Sequence, residues 1–123
     1  MDELQVQIQK ILDEYDEEVQ EAVTEAAKET AKETVKLLKD TSPVGRRTAK
    51  KYKNGWKAKD ESSASGTVSI IVHNSTNPGL THLLENGHAL RQGGRARAFP
   101  HIKPAEEEAQ TKFDRKIKEK LNR

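Results

Sequence analysis

The sequence predicts an α+β fold, and three observations carry that expectation. Residues 3–39 hold no Gly and no Pro and space their apolar or small residues like a helix. Thr67-Val-Ser-Ile-Ile-Val-His73 is a β-branched run bounded by turn residues. A second amphipathic stretch follows Pro104. The order is a long N-terminal helix, a small antiparallel sheet, a short helix and a C-terminal helix. One domain of residues 1–123 is expected: a long helix over 1–41, a basic segment and β-hairpin over 42–79, a motif-rich loop over 80–104 and a terminal helix over 105–123.

The first helix is read from Leu4, Ile8, Leu12, Tyr15, Val19, Val23, Ala26, Thr30, Thr34 and Leu37, stepping by four, four and three. It stops at Asp40-Thr41-Ser42-Pro43, where proline bars its continuation. Such a helix would be roughly 55 Å long. A compact domain of this size has a radius of gyration near ~14 Å. Either the helix is kinked, or its protruding part packs on a second copy, where the Ala and Thr positions of 22–34 permit close approach.

The middle of the chain is turn-rich and basic, with Arg46, Arg47, Lys50, Lys51 and Lys53 around Tyr52 and Trp56. Asp60 to Gly66 reads as a hairpin loop joining Tyr52–Lys59 to the strand at 67–73. Thr81–Glu85 reads as a short helix stopped by Gly87. The terminal helix opens at Pro104 with Glu106, Glu107 and Glu108 at its positive end, and Lys116, Lys118, Lys120 and Arg123 near its negative end. Its apolar stripe is Ala109, Phe113, Ile117 and Leu121. Trp56, the one tryptophan, is expected at the centre of a thin core.

Only 33% of the 123 residues are hydrophobic and 34% are charged, and the mean hydropathy is −0.94. A chain so polar, yet so periodic, is expected to bury surface against neighbours. Charge is uneven: residues 1–42 hold 12 acids and 5 bases, whereas 43–60 hold 7 bases and 1 acid. That asymmetry suggests head-to-tail electrostatic pairing between copies. There is no cysteine, so neither a disulfide framework nor a thiolate metal site is available. No apolar run approaches the roughly 18 residues of a membrane span, and the acidic N-terminus lacks a signal-peptide core. A soluble protein made in the cytosol is expected.

Residues 80–105 gather three of the four histidines, three of the seven glycines and two of the four prolines. Loops so constrained tend to carry function. His82-x-x-Glu85-x-x-His88 invites a metal reading, with His101 as a possible fourth ligand. Zincin helices, however, space their histidines four apart so that both face one way. Spacings of three and three fan the side chains over about 120°, and Gly87 ends the helix first. Histidines that brace backbone, with Gly87 as a left-handed C-cap, fit better. His73-Asn74 with the later histidines resembles a His-Asn-His nuclease only faintly, because no acidic metal cluster accompanies it. There is no Gly-x-Ser-x-Gly nucleophile motif, and Gly93-Gly94 lacks phosphate-loop spacing. Arg91, Arg95 and Arg97, with Arg46, Arg47, Lys50 and Lys51, are candidates for an interface or for DNA phosphate. A net charge of only +2 argues against strong binding of free nucleic acid, and a small DNA-binding module is kept as the main alternative to an assembly protein.

Ser42-Pro43, Lys50-Lys-Tyr-Lys-Asn-Gly-Trp56, Leu80-Thr-His-Leu-Leu-Glu-Asn-Gly-His-Ala89, Gly93-Gly94-Arg95 and Pro100-His-Ile-Lys-Pro-Ala-Glu106 together resemble one family. It is the head–tail joining, tail-completion or neck family of long-tailed bacteriophages and prophages. Two departures are local: Pro43-Val-Gly45-Arg-Arg-Thr48 where the family often has Thr-Gly, and Asn86 where it often has an aromatic. The resemblance implies a structural virion protein with no catalysis and no cofactor, assembled in the host cytoplasm. It implies a ring of copies, hexameric by expectation, around the DNA path, with tail-tube, tail-terminator and head-completion proteins as partners. His82, Glu85, Gly87, His88, Pro100, His101, Pro104 and Trp56 would then be architectural, with Leu83, Leu84 and Ile102 turned inward.

Overall fold

The computed structural model describes residues 5–43, 49–63 and 66–122, with the side chains of residues 49–51 and 88 outside that description. Its elements are β1 (Val6–Ile11), α1 (Glu17–Thr41), α2 (Ala49–Asn54), β2 (Trp56–Asp60), β3 (Thr67–Asn74), α3 (Pro78–Asn86), β4 (His88–Ala89), β5 (Arg95–Ala96) and α4 (Ile102–Leu121). The α+β class, the long helix near the N-terminus, the small antiparallel sheet and the terminal helix are all present.

The first of these elements corrects the sequence reading. Residues 6–11 form a strand, so the long helix begins at Glu17 instead of residue 3. Val6-Gln-Ile-Gln-Lys-Ile11 alternates buried and exposed residues with the period of two that a half-covered strand requires. Ile8 and Leu12 satisfy both periods, which is how the helical pattern runs through them. Pairing decides between the two: Val6 faces Val72 and Ile8 faces Ile70 across an antiparallel ladder. Asp16 then starts the helix, its carboxylate accepting the Val19 N–H at 2.9 Å, with Glu17 and Glu18 in the first turn.

At 25 residues, α1 is about 37 Å long, little more than the roughly 30 Å of α4 with its 20 residues. The overhang that would have required a second copy is absent. The small residues on α1 are covered from within, because Ala26, Ala27, Thr30, Ala31 and Thr34 are buried and α4 packs along this helix. Leu38 fills the last inward position, where the spacing had pointed to Leu37. Lys116 meets Glu33 at 3.2 Å, and Lys120 meets Glu29 at 2.6 Å and Glu25 at 3.5 Å. The Glu29 carboxylate holds the Lys120 ammonium above its usual range. Three of the twelve acidic residues of 1–42, Glu25, Glu29 and Glu33, are therefore met by the chain's own last helix. These pairs also show that α4 runs antiparallel to α1.

The sheet order is β1-β3-β2. Val6, Ile8, Trp56, Val68, Ile70 and Val72 point to one face and form a core with α1 and α4 through Val23, Leu38, Ile102, Ala109 and Phe113. Gln7, Gln9, Ile11, Lys57 and Lys59 line the other face and are exposed. The proposed partner of β3 splits in two: 49–54 is a short helix and only 56–60 is strand. Helix α3 is longer than read, starting at Pro78, whose fixed φ suits a first turn. On α4, Ala109 and Phe113 are buried, but Leu121 is 43% exposed.

The strand reading has a direct check in chemical denaturation. Ile8→Ala should cost about 2–4 kcal/mol of stability. Ile11→Ala, at a position 60% exposed, should change it by less than about 0.5 kcal/mol.

Candidate functional site

The motif residues converge on one buried knot at the end of the molecule where α1 stops and α4 starts. Its largest side chains are Tyr52 and Trp56, at 0% and 1% exposure. With His101 they form a triangle of edge-to-face rings, centroids 5.5 Å (Tyr52–Trp56), 5.7 Å (Tyr52–His101) and 6.0 Å (Trp56–His101) apart. Such pairs are each worth about 0.5–1.5 kcal/mol beyond the area they bury.

Every polar atom of the triangle has a partner. Trp56 Nε1–H donates to Ser42 Oγ at 2.7 Å, and the Ser42 hydroxyl donates to the Leu38 carbonyl, which closes the C-terminus of α1. Tyr52 Oη lies 3.0 Å from Thr81 Oγ1 and 2.5 Å from His101 Nε2. His101 Nδ1 faces two acceptors, the Phe99 carbonyl at 2.8 Å and Glu85 Oε1 at 3.0 Å, so this nitrogen carries a proton. Asn74 donates to the Tyr52 carbonyl at 2.6 Å and accepts the N–H groups of Thr76 and Asn77. Burial pushes the Tyr52 phenol up to about 12; the Thr81 hydrogen bond lowers it and the Glu85 charge adds a smaller rise.

Glu85 joins this knot to α4. Its side chain is 10% exposed. Oε1 accepts the N–H groups of His101 and Ile102 at 2.7 and 2.8 Å, and Oε2 accepts that of Lys103 at 3.1 Å. A helix leaves its first four N–H groups unpaired. Here three are met by one carboxylate, and the fourth position is Pro104, which has no N–H. Pro104 is thus the third residue of α4 and not its opening one. Burial raises the Glu85 pKa, but the backbone N–H groups of Ile102, His101 and Lys103, with the His101 ring, outweigh it and hold the carboxyl below its usual range.

The remaining motif residues are dispersed. His82 is exposed and bonds to Asn86 at 2.7 Å. Leu83 is 44% exposed, which corrects its inward assignment, while Leu84 and Ile102 do pack on the core. Gly87 has φ +72 and ψ 176, so its positive φ is not the left-handed helical cap expected of it. A Cβ there would sit 2.6 Å from the Ala96 carbonyl, so only glycine lets α3 turn against β5. Pro100 is exposed. Arg91, Arg95 and Arg97 ride on the β4–β5 hairpin, whose tip turns at Gly93 and Gly94 (φ +94 and +80). Arg46 and Arg47 lie outside the described residues, and Lys50 and Lys51 are placed by backbone alone. Ser42, Tyr52 and Thr81 stand within the quoted motifs and Asn74 beside His73, but the spacing of these four along the chain carries no signal that they meet. Among the described residues, no group of three or more His, Asp or Glu side chains is arranged to hold a metal ion. No described helix is long and apolar enough to cross a membrane.

The arrangement defines a class of protein: a small α+β body whose histidine- and glycine-rich signature ties secondary elements together. The model of the HK97-gp10-like family, described as "Bacteriophage HK97-gp10, putative tail-component", matches residues 2–87, and the chain belongs to that family of phage tail components. No curated protein and no solved structure gave a match. The matched span ends at Gly87, so it includes Ser42, Tyr52, Trp56, Thr81 and Glu85 but stops short of His101 and α4.

Two measurements test the knot. Glu85→Ala should cost about 2–3 kcal/mol, the range for hydrogen bonds to a charged group. The Glu85 carboxyl titrates lower in the folded chain than in the unfolded one, so its contribution is complete above the ordinary glutamate value of 4.5. It is lost as pH falls through the lowered folded value. Wild type should therefore lose stability below that point more steeply than Glu85→Gln. Tyr52 shifts the other way, and its contribution is present below 10.0 and lost as pH rises toward about 12. Tyr52→Phe should abolish that alkaline loss, read as melting temperature against pH.

Proposed function

We propose that this protein is a structural component of the phage neck or tail end that assembles as a homo-oligomeric ring and takes part in tail completion and head–tail joining. The observation that carries this reading is the family match over residues 2–87. The geometry supports it. Glu85 and His101, the residues best placed to look catalytic, are engaged in capping α4 and bracing Tyr52, so neither is a free base among the described side chains. A rigid body whose ends are tied suits a part that must keep its shape while partners bind on several sides. The partners of this reading are other copies, tail-tube and tail-terminator proteins on one side and head-completion proteins on the other. Contact with DNA in the channel is non-specific, the virion neck is its location, and no catalysis or cofactor is involved.

Deleting the gene from a phage or inducible prophage should yield DNA-filled heads beside separate or defective tails, seen by electron microscopy, with infectivity restored by a plasmid copy. Normal infectious particles from the deletion would sink the proposal.

A further inference from the structure

Two surfaces have complementary chemistry and cannot meet within one chain. The first is the arm made by β4 and β5. These strands pair only with each other among the described residues, and residues 89–95 are all exposed. From Gly87 to Ile102 the chain has three arginines and no acid. Arg91 and Arg95 make no ion pair among the described residues, and Arg97 lies over the Phe99 ring at 5.8 Å. Leu90 and Phe99 are each 45% exposed.

The second is a groove along α1 on the side of β2, whose outer edge pairs with no strand among the described residues. Its more apolar end is lined by Ala31, Val35, Ala58 and Ile70, with Lys28, Lys32 and Asp60 beside them. Its middle passes Thr24, Lys28 and Asp60. Its other end is lined by Leu12, Gln20, Glu17 and Glu21. Both glutamates are exposed and make no ion pair among the described residues. From Glu17 to Val35 the groove spans about 27 Å of helix.

Position separates the two surfaces. The arm is joined to His101, which sits against Trp56 and so beside Ser42 at the C-terminus of α1. Glu21 lies about 30 Å away along that helix. An arm cannot reach the acidic end of its own groove, so the complement must come from another molecule.

We propose that the arm of one copy docks in the α1–β2 groove of a second copy, Arg91 and Arg95 at its tip meeting Glu17 and Glu21 while Phe99, nearer its base, lies toward the apolar part. The contact is heterologous: each copy offers an arm and receives one, so repetition closes a ring when the rotation per copy permits. The proposal rests on the ring assembly proposed above and supplies its contact. It also relocates the charge complementarity seen in the sequence, from the segment at 43–60 to the arm.

The test is sedimentation velocity of the full chain over a range of protein and salt concentrations. Wild type should self-associate, and more weakly as salt rises. Arg91→Glu with Arg95→Glu should weaken association about tenfold or more, as should Glu17→Arg with Glu21→Arg. All four changes together should restore it. The arm positions are exposed, so their variants should unfold near wild type, whereas Glu17→Arg puts a cation in the first turn of α1 and should lower the melting temperature slightly; the salt series on unaltered protein reads the same contact without substitution. A wild type that stays monomeric, an oligomer indifferent to the reversals, or a failure of the fourfold variant to recover overturns the proposal. So does a result in which Arg91→Glu with Arg95→Glu abolishes binding of duplex DNA yet leaves self-association intact. Gene deletion reads the virion role without reference to these charges, so the two readings fail separately.

Discussion

One carboxylate holds the two halves of this molecule in register. Glu85, at the end of α3, completes the first turn of α4 from outside that helix, meeting every N–H that Pro104 leaves there to be met. The negative charge also sits at the positive end of the helix dipole. Without it, three backbone donors would be left beside a buried ring system, a cost that falls on each donor separately. The position of α4 is therefore set by α3 as well as by its own apolar face. Because α4 covers β1 and α1, the sheet and the long helix inherit that placement.

Around this contact the aromatic triangle works as a shared wall. Tyr52 comes from α2, Trp56 from β2 and His101 from the start of α4, and each uses its polar atom to reach a different neighbour. Trp56 closes α1 through Ser42, Tyr52 reaches α3 through Thr81, and His101 turns back to Glu85. A thin core needs such cross-links. With few large apolar side chains available, a hydrogen-bonded aromatic cluster supplies direction as well as burial.

The same arrangement explains why a histidine-rich signature belongs to a structural protein. Glu85, His101 and Tyr52 face each other and the backbone of the first turn of α4. Outward, among the described residues, lie the arginine-bearing hairpin, the edge of β2 and the acidic first turns of α1.

The sequence by itself determined the class of fold, the body of α1, strand β3, the hairpin loop before it and the terminal helix. In each of these a local signal and a tertiary demand agree: apolar period, capping residue, turn chemistry. It also marked Trp56 as core, since a lone large aromatic in a polar chain has few other places to go. Tertiary structure decided what local signals left ambiguous. Residues 6–11 carry Ile8, which fits both a helical and a strand period, and only the ladder with β3 selects the strand. The roles of Glu85 and His101 were equally hidden. Glu85 reaches donors 16 to 18 residues ahead of it, a distance at which no periodicity links two positions. Spacing along the chain could not separate a brace from a ligand; the fold did, by turning both residues toward the backbone of α4.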